Sequence, residues 1–105
     1  MSDLQDLQER ALEVAQKYDE LNQKAGREPW SNKDYAMGFV GDIGDLLKLV
    51  QAKEGVRHID DVDVKLAHEL ADCLWCVLVL AKRYDINLEK EFLKTMEELK
   101  ERIAA

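Results

Sequence analysis

"HELADCLWCVLVLAKRY", residues 68–84, decides how this chain folds. From Cys73 to Ala81 it has no polar side chain except two thiols. Wound as an α-helix, its apolar residues point in all directions, and a helix apolar all round is buried all round. Glu69 and Asp72 stand at its mouth as an i, i+3 pair, so both project from one side. An unpaired charge against such surroundings is costly, so these carboxylates are expected to be paired, metal-bound or neutralised.

The flanking sequence predicts only helices. Upstream, "GVRHIDD" (55–61) reads as a loop in which Asp60 or Asp61 caps a helix over about 61–84. Before it, Phe39, Val40, Ile43, Leu46, Leu47 and Val50 form one face of a helix over about 33–54. Ser31, with Asp34 three residues on, has the pattern of a capping box for that helix. Gly41 and Gly44 lie inside it, and a glycine in a helix interior costs up to about 1 kcal/mol relative to alanine. Their presence suggests close approach by another helix or a ligand. Leu4, Leu7, Ala11, Val14, Tyr18, Leu21 and Ala25 predict a first helix over about 3–26, stopped by Gly26 and Pro29. Downstream, "DIN" is a turn with Asn87 as the cap, and Leu88, Phe92, Met96, Leu99 and Ile103 line a fourth helix. No strand is needed. Four helices of a short chain can hardly surround the third, so a partner subunit is expected over one of its faces.

The 105 residues suffice for one domain, 1–105, and not for two. At 47% hydrophobic they allow a packed but modest core that oligomerisation would help. A net charge of −7 argues against binding a nucleic-acid polymer or an anionic membrane surface. The apolar run Cys73–Ala81 is about half of what a membrane span needs. "MSDLQDLQER" lacks the apolar stretch of a signal peptide, so the expected location is the cytoplasm, with Cys73 and Cys76 reduced.

The second helix repeats the acidic spacing of the third. "GDIGD" (41–45) places Asp42 and Asp45 at i, i+3, with Asp42 at the border of the apolar face. If the two helices are antiparallel neighbours, as their short loop favours, four carboxylates can converge. Without a cation they would repel one another and their pKa values would rise. A hard divalent ion turns them into oxygen ligands. Magnesium in particular takes a few carboxylates, several waters and substrate phosphates. The pattern thus points to metal-assisted chemistry on a phosphate ester. The competing reading is that acids at i, i+3 simply face water, and it is weaker for "ELAD" than for "GDIGD".

Acidic pairs on consecutive helices, the second followed by an apolar run, resemble the MazG-like all-α nucleoside triphosphate pyrophosphohydrolases. That family's pattern is E-E-x-x-E followed by E-x-x-D. "GDIGD" stands in the first place and "ELAD" in the second, and "ADCLWCVLVLAKRYDINLEKEFLKTME" follows the run through the last two helices. The subgroup acting on dCTP typically has G-E-x-G-E, which "GDIGD" mimics with shorter acids. The resemblance covers roughly 30–103. It implies a MazG-like four-helix bundle completed as a homodimer or homotetramer. It implies Mg2+-dependent cleavage of a (deoxy)nucleoside triphosphate to the monophosphate and pyrophosphate. Asp42, Asp45, Glu69 and Asp72 would be metal ligands and catalytic groups, one of them or a neighbouring carboxylate orienting the attacking water. Lys53, Lys94 and Arg102 match or neighbour positions that reach phosphate. The chain departs from the pattern at several points. Ala52 stands for a tryptophan, Cys76 for a tyrosine, Asp34 for an asparagine, and Thr95 and Leu99 for a lysine and an asparagine expected to hold phosphates. These losses motivate an alternative: a catalytically degenerate helical dimer that binds nucleotide or a protein partner without turnover.

Trp30, in the loop before the second helix, either stacks on a base or packs as a lid over the core. Trp75 reads as core or interface. "CLWC" is a C-x-x-C inside a helix, without the strand context of a redox pair or the further ligands of a zinc site, so its cysteines read as small buried hydrophobes. His58 reads as a surface residue of the loop.

Overall fold

The computed structural model describes residues 3–104, and these form four helices with no strand among them: α1 (Asp3–Lys24), α2 (Asn32–Lys53), α3 (Val62–Arg83) and α4 (Leu88–Ala104). Each lies within two residues of the span its periodicity predicts. The starts of α2 and α4 follow the expected chemistry. The Ser31 hydroxyl accepts from the Asp34 amide at 3.2 Å, and the Asp34 carboxylate accepts from the Ser31 amide at 2.8 Å, closing the capping box. Asn87 Oδ1 accepts from the Lys90 amide at 3.1 Å. α3 differs. Asp61 is its N-cap residue but adopts a left-handed conformation, φ 55°, and its side chain makes no capping bond. The turn into α3 is therefore set by backbone shape rather than by a carboxylate cap.

α2 and α3 pack as an antiparallel pair, and α1 lies across α3. The core joins all three: Ala11 and Ala15 from α1, Tyr35 from α2, Leu78 and Val79 from α3. Small residues on α1 let it approach closely. Trp75 fixes the contact by donating its indole N–H to the Ala11 carbonyl at 3.0 Å, and Gln8 donates to the Leu78 carbonyl at 3.3 Å. Tyr35 lies between Trp30 and Trp75, with ring centroids 5.3 Å and 5.5 Å away in edge-on arrangements.

The fourth helix stands apart from the other three. α4 has no buried residue and packs on no other helix to a comparable extent. The radius of gyration is 16.6 Å, against about 13 Å for a compact chain of this length. Phe92, Leu93, Met96 and Leu99 of α4 face outward, as do Met37, Val40 and Leu47 of α2 and Leu70 and Leu74 of α3. α3, apolar all round in sequence, is thus covered within one chain on one side only. Gly41 and Gly44 have nothing from another element within 4 Å of the position a Cβ would take, so none of the described residues makes the close approach they suggested. Gly38 does serve one: a Cβ there would sit 3.4 Å from the Trp30 ring.

Candidate metal centre and adjoining cavities

The antiparallel pairing of α2 with α3 brings the middle of one helix against the first half of the other. Asp42 of α2 meets Glu69 and Asp72 of α3, and one carboxylate oxygen from each lies within 4.8 Å of the others. All three residues are half-buried. Glu69 Oε1 is shut off from solvent and has no hydrogen-bond partner. Burial first, then the charge and contact of Asp42, then Asp72 and Asp45, push the Glu69 carboxyl above its ordinary pKa. Asp72 Oδ2 lies 3.2 Å from His68 Nε2, and Asp42 Oδ2 lies 3.7 Å from the Cys76 thiol. Asp45, one turn beyond Asp42, is exposed and stands outside the three-carboxylate group, close enough to act on Glu69 through space.

This donor set fits a hard divalent cation. It offers oxygens alone, clusters them more closely than repelling anions favour, and leaves one buried lone-pair-bearing oxygen without a donor.

Two cavities adjoin the carboxylates. The larger, about 540 Å3, has Asp42 and Asp72 in its wall, with Trp30, Tyr35 and Trp75 presenting aromatic surface and Arg27 at its polar end. The smaller, about 430 Å3, lies toward the C-terminal half of α2. Glu69 and Asp45 share its wall with Lys48, Lys65 and His68 over an apolar floor of Leu49, Ile59 and Val64. The carboxylate group thus stands between an aromatic chamber and one where two lysines face two acids.

Trp30 combines both roles its sequence context allowed: it packs edge-on against Tyr35 and also lines the aromatic cavity. Arg83 holds its loop, donating from Nη1 to the Trp30 carbonyl at 2.9 Å and to Asn32 Oδ1 at 3.2 Å, with its guanidinium 4.7 Å from the Tyr35 ring centre. Lys53 stands away from the carboxylate group. Its ammonium is paired with Asp63 at 2.5 Å, about 12 Å along α2 from Asp45. Lys94 and Arg102 lie on exposed α4 and line neither cavity. Lys48, Lys65 and His68 were not singled out in the sequence. The signal was there: Lys48 is i+3 from Asp45 and Lys65 is i−4 from Glu69, so each shares a helix face with an acid.

The two thiols are free, Cys76 buried and Cys73 half-buried. Burial, with Asp42 next in effect, pushes the Cys76 thiol up to about 11, and the same causes raise Cys73. Both remain protonated small side chains at neutral pH. His58 pairs with Asp60 at 2.7 Å in the exposed loop. No helix among the described residues is long and apolar enough to cross a membrane.

Searches of curated proteins and of solved structures find no match. A family model does match, that of the MazG nucleotide pyrophosphohydrolase domain, over residues 46–104. The matched span holds the end of α2 and all of α3 and α4, including Glu69 and Asp72, and begins just after "GDIGD". It covers more than half of the chain, and with an all-helical fold whose α2–α3 pair gathers carboxylates it makes the assignment: this chain belongs to the MazG nucleotide pyrophosphohydrolase family.

Proposed function

We propose that this protein is a Mg2+-dependent pyrophosphohydrolase that converts a (deoxy)nucleoside triphosphate, of the kind taken by the dCTP-acting subgroup, to the monophosphate and pyrophosphate. The observation that carries this reading is the convergence of Asp42, Glu69 and Asp72, with its unpartnered Glu69 oxygen, at the wall of an aromatic cavity. These three side chains would hold Mg2+. Bound there, the ion supplies charge neutralisation for the phosphates and acidifies a water.

The chain's own residues supply the rest. The aromatic cavity excludes water from the base and offers the Trp30 ring for stacking, on a loop that Arg83 keeps in place. One of the acids at this centre orients the attacking water and accepts its proton. The water oxygen bonds to phosphorus, the α–β bridging P–O bond breaks, and its electron pair leaves with pyrophosphate. The large apolar side chains that α2, α3 and α4 leave exposed support assembly as a homodimer or homotetramer, since extensive exposed apolar surface commonly marks an interface.

One observation favours a nucleotide-binding dimer without turnover: Lys94 and Arg102, the phosphate-reaching candidates of α4, stand away from the carboxylates in the single chain. Pyrophosphate release from a panel of nucleotides, with and without Mg2+, separates the two. The hydrolase reading expects Mg2+-dependent release, abolished by Asp72→Asn. Folded, oligomeric protein that releases none from any nucleotide sinks it. Light scattering of the 12.1 kDa chain checks the assembly, and a monomeric mass refutes that part alone.

A further inference from the structure

Building on the hydrolase reading, we infer that the lysine-bearing cavity beyond Glu69 is the subsite for the pyrophosphate end of the substrate, with Lys48 and Lys65 as its anion-holding residues. Three observations carry it. First, the cavity shares Glu69 with the carboxylate group, while Asp42 and Asp72 open onto the aromatic cavity on the other side. A triphosphate whose base lies against Trp30 and whose bridging bond lies at the carboxylates therefore extends into this chamber. Second, neither Lys48 nor Lys65 has an ion-pair partner among the described residues, whereas Lys53, the lysine the sequence favours, is already neutralised by Asp63. These two unpaired ammonium groups, on facing helices, are the cations of the cavity that Glu69 lines, as Arg27 is the cation of the aromatic one. Third, the leaving group develops negative charge as the bridging bond breaks, and fixed cations aimed at that position stabilise it. His68 is already engaged with Asp72 and completes the rim.

This arrangement also accounts for the chain's losses. Where the family pattern has a phosphate-holding lysine and asparagine on the last helix, Thr95 and Leu99 stand here. Lys48 and Lys65 take over the task from α2 and α3, within the same chain.

Calorimetry with two probes tests the assignment: inorganic pyrophosphate with Mg2+, and dCMP with Mg2+. The Lys48→Gln/Lys65→Gln double variant should bind pyrophosphate at least about tenfold more weakly, the loss of a hydrogen bond to a charged group, and bind dCMP as the wild type does. Lys17→Gln removes one positive charge from exposed α1 and should change neither. The Lys48→Arg/Lys65→Arg variant should retain pyrophosphate binding, which excludes misfolding as the cause. The assignment falls if wild-type protein does not bind pyrophosphate, if the Gln variant binds it unchanged, if Lys17→Gln weakens it equally, or if dCMP is lost in proportion. Failure of the hydrolase reading registers separately, as absence of pyrophosphate release from nucleotides whatever the calorimetry shows.

Discussion

Replacing Glu69 with glutamine should make the metal-free protein more stable. The three carboxylate oxygens lie within 4.8 Å of one another. Two unit charges at that separation repel by about 1 kcal/mol in a water-like medium, and by about 3.5 kcal/mol at an effective dielectric constant of 20. The residues are half-exposed, so the screened end of that range applies. Glu69 faces two such neighbours, and Glu69→Gln relieves roughly 2 kcal/mol, on the order of 10 °C in Tm for a domain of this size. The new amide can also donate to Asp42, which the carboxylate cannot. The sign with pH is fixed by linkage. The folded-state pKa of Glu69 is raised, so the folded protein binds a proton more readily than the unfolded chain. Wild-type stability therefore climbs as pH falls through the folded pKa toward the ordinary value of 4.5, and the gap between variant and wild type closes over that window. Thermal unfolding in chelator, at one fixed protein concentration, near neutrality and near pH 4.5, reads both effects. Adding Mg2+ should raise the wild-type Tm and move the variant less. A variant that melts at or below the wild type near neutrality, or a gap indifferent to pH, refutes the reasoning.

Asp45→Glu lengthens the one acid that falls outside the ligand group, and should tighten Mg2+ binding measured by calorimetry, with unchanged affinity counting against a fourth ligand position there. Ser31→Ala removes half of the capping box and should cost about 1 kcal/mol, read by denaturant unfolding. Trp75→Phe leaves the Ala11 carbonyl without its indole donor and should cost a similar amount, roughly 1 kcal/mol, in the same assay. Cys76, buried and with its thiol pushed up to about 11, should resist alkylation at neutral pH until the protein unfolds, whether or not Mg2+ is present.

The helices were legible because their signals are local. Apolar spacing on α1, the Ser31–Asp34 box and Asn87 each act over a turn or two, and the structure realises each. Asp61 shows the limit of such signals: an acid at the right place fails to cap when the incoming loop puts its backbone in the left-handed region. The pairing of α2 with α3 was legible from a short connection. What was not legible is contact that depends on tertiary register. Gly38, rather than Gly41 or Gly44, is the glycine another residue needs, because Trp30 returns over it from the preceding loop. The packing of α4 was not legible for a related reason. Its apolar stripe says that something covers it and does not say whether that cover comes from the same chain.

The site divides along the same line. Asp42, Glu69 and Asp72 could be nominated from i, i+3 spacing, yet spacing treats Asp42 and Asp45 alike. The structure separates them: with a one-methylene arm, the acid facing the helix interface reaches the group, and its neighbour a turn later remains in solvent. That difference gives the two acids of "GDIGD" distinct surroundings, one half-buried against α3 and the other exposed. The lysines obey the same rule in reverse. Lys53 looked available in sequence and is paired with Asp63 at the surface, while Lys48 and Lys65 lacked any motif and stand unpaired in the cavity that Glu69 lines. For a strongly acidic chain, the informative quantity is therefore not which cations exist but which stand unpaired beside the acidic centre once the helices pair, and in the proposed pyrophosphate subsite those are Lys48 and Lys65.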